Sequence, residues 1–184
     1  MNIEEYIHEF FSEVSSNKVD IYNEFSLQHE LGIFLRNKVP NPYKVEFERN
    51  IRFFHPNAKC AKSEIDIVIY HPDNHMRYAI ELKYPKNGQY PESMFHFVKD
   101  IKFMEQVKDL GFCENFAVTY VEDNLFYSGS KRDGIYGFFR NGELIHGEVN
   151  KPTGRKKESH IIEGTYKIEW LPLENDSKYY VLSI

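Results

Sequence analysis

Two short segments place acids and a lysine where they could act together. Residues 64–70 (EIDIVIY) and 77–83 (RYAIELK) both alternate in polarity, and successive side chains on a strand point to opposite faces. Ile65, Ile67 and Ile69 in the first, and Tyr78, Ile80 and Leu82 in the second, claim a core-facing side. The other side is left to Glu64, Asp66, Val68 and Tyr70, and to Arg77, Ala79, Glu81 and Lys83. If residues 71–76 are the connecting loop, Tyr70 pairs with Arg77, Asp66 falls opposite Glu81, and Glu64 opposite Lys83. Directly opposed Cβ atoms are about 5 Å apart. Two carboxylates that close repel unless one is protonated or a cation lies between them, and hard oxygen ligands suit a divalent ion such as Mg²⁺ or Mn²⁺. Lys83, two residues from Glu81 on the same face, is near enough to meet a water held by that ion. The same residues would also suit a solvated sheet face with an ordinary Glu64–Lys83 pair, and the hairpin alone does not separate the two.

Three further features favour the first reading. Leu27, Glu30, Leu31 and Phe34 fall at i, i+3, i+4 and i+7, so Glu30 sits inside an apolar helical stripe, where a carboxylate needs a partner. Val68 and Ala79, at the middle of the polar hairpin face, are small enough to let a helix approach. Acid-x-Lys occurs three times, at Glu81–Lys83, Asp100–Lys102 and Asp176–Lys178, but only the first lies on a strand beside another acid-bearing strand.

The elements that would position these groups are legible from periodicity. A helix is expected over 2–15, with Asn2 and Glu5 as a capping box, and a second over 22–38, stopped by Pro40 and Pro42. A half-buried strand is expected over 44–54, then a loop containing Pro56, Asn57 and Ser63, then the two strands above. A helix at about 92–110, closed by Gly111, leads to a buried strand at 116–121. Beyond it the pattern reads as β meander. Segments 135–140 and 143–149 flank Asn141-Gly142, a strong hairpin signal, and further strands are expected near 161–170 and 178–183.

Composition narrows the classes. With 184 residues, 41% of them hydrophobic and 16% aromatic, the chain suits one folded domain spanning 1–184. No apolar run approaches the roughly 18 residues of a membrane span, and the first ten residues carry acids where a secretory signal carries bases. A cytoplasmic location with no membrane partner is therefore expected. Cys60 and Cys113 are too few for a disulfide framework and read as reduced thiols. A net charge of −5 argues against a passive nucleic-acid coat but not against an enzyme whose acids bind cations.

The order αβββαβ over residues 22–121, with Asp66 on the second core strand, Glu81-Leu82-Lys83 on the third and Glu30 on the first core helix, resembles the PD-(D/E)xK nuclease superfamily, the restriction-endonuclease-like fold. The chain has Ile65 where the family's motif has Pro. The literal Pro72-Asp73 lies in the turn, roughly 25 Å of extended strand from Glu81, and reads as a decoy. The resemblance implies an α/β (α+β) domain with a mixed sheet; the N-terminal helix and the C-terminal β-hairpins (122–184) are additions that lie outside it. The resemblance also implies phosphodiester hydrolysis. Asp66, Glu81, the Leu82 carbonyl and Glu30 would hold Mg²⁺ (or Mn²⁺), and Lys83 would orient or deprotonate the attacking water or offset developing charge. A DNA endonuclease is the leading expectation. An RNA-directed or exonucleolytic enzyme, and a non-enzymatic binding or assembly module, are the alternatives. The expected partners are nucleic acid, DNA before RNA, and a second copy of the chain. Lys131, Arg132, Lys151, Arg155, Lys156 and Lys157 are candidate phosphate contacts, although such runs are more often a solvated loop. His71 and His75 lie in a turn and read as solvated rather than as a zinc site. Asp100, Lys102 and Gln106 read by default as a solvated helical face.

Overall fold

The computed structural model describes residues 1–154 and 157–184. Its first helix, α1 (Ile3–Ser15), opens where the Asn2 side chain accepts from the Glu5 backbone N–H. The second, α2 (Glu24–Lys38), opens on a capping box between Asn23 and Ser26. The apolar faces of both helices bury Ile3, Ile7, Phe10, Phe11, Leu27, Leu31 and Leu35 against Ile67, Ile69, Tyr78, Ile80 and Leu82 of the sheet.

The sheet has six strands: β1 (Lys44–Asn50), β2 (Glu64–Tyr70), β3 (Arg77–Lys83), β4 (Glu114–Val121), β7 (Leu171–Pro172) and β8 (Lys178–Ser183). Its order is β1-β2-β3-β4-β8-β7, antiparallel except for the β3–β4 pair. The parallel pair needs a crossover, and α3 (Tyr90–Asp109) supplies it. Met94, Phe97, Val98 and Ile101 of α3 pack with Val68 and Ala79, so the small residues at the middle of that sheet face do admit a helix. The result is an α+β protein in which a mixed sheet is covered on both faces.

The register between β2 and β3 is the one expected, with Tyr70 opposite Arg77 and Ile67 opposite Ile80. The alternation fails at one place: Ile65 packs with Val68 and Tyr70, not with Ile67 and Ile69. The strand expected over 44–54 ends at Asn50, whose side chain accepts from the Arg52 N–H and turns the chain into a 3-10 segment, Ile51–Phe53.

The C-terminal meander needs a larger correction. Residues 135–140 form a helix, α4 (Ile135–Arg140), and not a hairpin arm. Ile135 and Phe139, four residues apart, both face the core, and the Asn141 and Glu143 N–H groups cap the Gly137 carbonyl. Gly142 has φ +68°, so Asn141-Gly142 uses its left-handed backbone to end a helix. The hairpin in this region is instead β5 (Ile145–Asn150) with β6 (Ser159–Tyr166), held to α3 where Glu105 accepts from the Glu163 and Gly164 N–H groups. The last strand, β8, returns to the main sheet beside β4. Among the described residues no helix is long and apolar enough to cross a membrane.

Gly32 sets how closely α2 lies on the sheet, because a Cβ there would strike the Phe47 ring of β1. Gly32→Ala should lower stability by about 1–2 kcal/mol through forced displacement of that ring, measured by urea unfolding. An unchanged midpoint would show that α2 is not seated by this contact.

Candidate active site

Main-chain pairing between β2 and β3 runs from Tyr70–Arg77 to Ile67–Ile80. The next residues, Asp66 and Glu81, are joined through their side chains. The Asp66 N–H donates to Glu81 Oε1 at 3.3 Å, and the Leu82 N–H donates to Asp66 Oδ2 at 2.7 Å. On the β1 side the pairing also skips one position, between Phe47–Ile67 and Arg49–Ile65. There the Asp66 carbonyl accepts from Gln28 Nε2 at 2.7 Å. Both peptide groups of Asp66 are thus held by side chains where neighbouring residues use the ladder. Glu48, across from Asp66, has φ +47°, a conformation costing a non-glycine residue roughly 1 kcal/mol. Its carboxylate accepts from the same Gln28 amide at 2.6 Å. The sheet opens at this point into a small cavity of about 70 Å³ lined by Glu24, Phe25, Gln28, Glu48, Asp66 and Leu82.

The other side of the site is built from α3 and from the loop before β2. Glu81 is 1% exposed and Asp100, on α3, is 4% exposed. Lys62 forms an ion pair with Glu81 and lies 3.4 Å from Asp100. Lys83 lies 3.5 Å from Asp100 and 3.3 Å from Glu24, and its ammonium also donates to the Leu82 carbonyl at 2.7 Å. Asp100 Oδ2 is buried without a hydrogen-bond partner. Glu81 and Asp100 are therefore buried beside the half-buried Lys62 and Lys83, while the half-buried Asp66 lines the cavity with Glu24 and Glu48.

The electrostatic consequence is large. Burial pushes the Asp66 carboxyl up to about 6, against the pull of Lys62, Lys83 and the Leu82 N–H. Burial, then Asp66 and Asp100, raise Glu81 well above the usual carboxylate range despite Lys62. Burial alone would lower Lys83, but Asp100, Glu24, Asp66 and Glu81 outweigh it and hold the ammonium above the ordinary lysine range. Lys62 is likewise raised, chiefly by Asp100 and Glu81 acting against burial.

Of the residues expected at this site, Asp66, Glu81, Leu82 and Lys83 come together. Glu30 does not. The buried face of α2 runs through Leu27, Gln28, Leu31, Gly32 and Leu35, which leaves Glu30 on the flank, 3.7 Å from the exposed His29. Gln28 and Glu24 take the places expected of it. Glu64 is exposed and does not pair with Lys83. Asp73 lies in the exposed turn, its N–H bonded to His71. Asp100 faces the cluster rather than solvent, while Lys102 pairs with Glu105 and Glu163, and Gln106 accepts from the Ala61 N–H. Glu24 lies three residues before Leu27, so extending the apolar stripe one turn would have found it. Lys62 carried no periodic signal.

The candidate phosphate contacts on the later loops divide. Lys151 is already paired with Glu92 at 2.7 Å and Glu158 at 3.7 Å. Lys131 lies over the Tyr136 ring, Arg132 and Lys157 are exposed, and Arg155 and Lys156 lie outside the described residues.

All the acceptors around Asp66 and Glu81 are hard oxygens, the donor type of Mg²⁺ and Mn²⁺, and the unbalanced negative charge suits a cation. Among the described residues no three carboxylate, imidazole or thiol groups converge as a ready chelating set. A cation there would rely on Asp66, Glu81 and a main-chain carbonyl.

The raised Asp66 value has a definite sign for stability. A carboxyl that binds its proton more tightly when folded favours the fold below its ordinary value of 3.8 and loses that contribution as pH rises through about 6. In metal-free buffer, Asp66→Asn should therefore gain on the parent by roughly 3 kcal/mol between about pH 3.5 and pH 7, two units at about 1.4 kcal/mol each. Denaturant unfolding across that range measures the gap, and a gap constant with pH would mean that Asp66 is not strained by burial.

Compared with known proteins, the chain matches no family model, no curated protein and no solved structure.

Proposed function

We propose that the chain is a metal-dependent nuclease with a restriction-endonuclease-like core, hydrolysing phosphodiester bonds in nucleic acid, DNA first. The observation that carries this reading is the junction of β2 and β3. Where the ladder opens, the Glu81 carboxylate accepts from the Asp66 N–H and the Asp66 carboxylate accepts from the Leu82 N–H, Lys83 reaches Asp100 and Glu24, and acids outnumber the ammonium groups. The order α2-β1-β2-β3-α3-β4 supports it, being the αβββαβ sequence of that fold.

Asp66, Glu81 and the Leu82 carbonyl are the groups that would hold Mg²⁺ or Mn²⁺. What such an ion supplies is an acidified water and charge compensation at phosphoryl oxygens. The chain's own groups set the rest. The Leu82 N–H fixes the Asp66 carboxylate, and Gln28 and the left-handed Glu48 hold the strand open around it. Lys83, kept protonated by four surrounding acids, orients water and offsets negative charge developing on phosphorus oxygens.

A non-enzymatic nucleic-acid-binding or assembly module of the same fold is the second reading. The Lys62–Glu81 ion pair favours it, since it neutralises one of the two acids internally.

Cleavage of supercoiled, linear and single-stranded DNA, and of RNA, separates the two. The expected result is cutting that EDTA abolishes and that Glu81→Gln lowers by at least about 100-fold. In metal-free buffer the variant should melt no lower than the parent, because it removes a strained buried acid. It should lose the rise in melting temperature that millimolar Mg²⁺ gives the parent. A parent with neither a Mg²⁺-dependent rise nor cleavage of any nucleic acid would favour the binding module.

A further inference from the structure

Residues 51–63 carry Arg52, Lys59 and Lys62 and not one acid, in a chain with net charge −5. The segment is fixed at several points. The Ile51 N–H donates to the Ser63 carbonyl at 2.8 Å and closes its base. Ile51 and Ala58 are buried with Val68 and Ala79 over the α3 side of the sheet, and Gln106 of α3 holds the Ala61 N–H at 2.7 Å. Its outer side forms an open cleft of about 440 Å³ whose charged lining residues are Arg52, Lys59 and Lys62, with no carboxylate among them. Lys62 is shared: it lines this cleft, and its ammonium reaches Glu81 and Asp100.

Arg52 and Lys59 are exposed and form no ion pair among the described residues. In the adjoining cleft of about 340 Å³ the exposed Lys44 and the half-buried Arg77 lie among Phe53, Phe54 and Tyr70, again with no ion pair among the described residues. Arg77 meets His55 Nε2 at 3.1 Å and the faces of Phe54 and Phe112 rather than a carboxylate. Lys151, by contrast, spends its charge on Glu92 and Glu158. In an acidic chain the local field, not the net charge, decides where a polyanion lands, and phosphates are recognised by cations not already committed to internal acids.

Building on the nuclease reading, we propose that residues 51–63 are the docking surface for the nucleic-acid backbone, with Arg52 and Lys59 on phosphates and the strand led along the Lys62 side to the Asp66–Glu81 junction. Lys151, already paired with Glu92 and Glu158, then contributes little to binding.

Fluorescence anisotropy with labelled single-stranded and duplex DNA in EDTA tests this without relying on turnover, with cleavage measured in parallel. Arg52→Glu/Lys59→Glu should weaken binding at least about tenfold and reduce the slope of log affinity against log salt by about 2. Arg52→Gln/Lys59→Gln should weaken it less, and Lys151→Gln, which removes a lysine already paired with acids, should leave it within about twofold of the parent. Circular dichroism and melting of each variant should match the parent, since both side chains are exposed. A parent that cuts, with binding unmoved by the Arg52 and Lys59 changes, would overturn this inference and leave the nuclease reading standing. Binding that depends on Arg52 and Lys59 without any metal-dependent cutting would support the surface and overturn the catalytic reading. A parent that neither binds nor cuts would overturn both.

Discussion

Three carboxylates, Asp66, Glu81 and Asp100, set around the half-buried ammonium groups of Lys62 and Lys83, are the constraint on which the site depends. Charges are costly to bury unless matched, and here the match is incomplete. Lys62 and Lys83 are each shared between acids, Asp100 Oδ2 has no hydrogen bond and only the Lys83 ammonium at 3.5 Å, and Asp66 and Glu81 are driven toward their protonated forms. A protein under selection for stability alone gains nothing from that arrangement. A cation is the simplest means of balancing it.

The cluster exists because the sheet gives up regular pairing around one residue. Asp66 exchanges ladder bonds for bonds to Glu81 and Gln28, and Glu48 opposite takes up a left-handed backbone. Local strain of this kind persists only where surrounding structure over-determines it. Here α2 supplies part of that support by placing Gln28 and Glu24 against the opened strands, and Gly32 allows the close approach of α2 to Phe47 that makes the reach possible. On the other face α3 packs Met94, Phe97, Val98 and Ile101 with Val68 and Ala79 and brings Asp100 to Lys62 and Lys83.

Much of this was legible in the sequence because strand alternation fixes which residues share a face. The Tyr70–Arg77 register followed from the loop length, and with it the meeting of Asp66 and Glu81. Glu30 was misplaced because a helical stripe is wide enough to be read with two rotations. Burial of Gln28 and Gly32 selects the one that carries Glu30 to the flank and Glu24 to the site. Asp100 and Lys62 were missed for different reasons: α3 is buried around most of its circumference, so its period singles out no polar face, and Lys62 lies in an irregular loop with no period to read. At Asn141-Gly142 the signal was real but ambiguous, since a positive φ serves a helix end as well as a hairpin turn, and the buried pair Ile135 and Phe139 decided for the helix. The extra β structure after β4 was visible as strands, but not its division into a separate β5–β6 hairpin and a return strand in the main sheet.

The most direct test of the central claim, that the charge imbalance is a divalent-cation site, is an anomalous difference map from crystals grown with Mn²⁺. The account predicts a peak bounded by the carboxylates of Asp66 and Glu81 and the Leu82 carbonyl, with the Lys62 ammonium drawn away from Glu81. A map without density there, and with Lys62 still paired to Glu81 at saturating Mn²⁺, would contradict it.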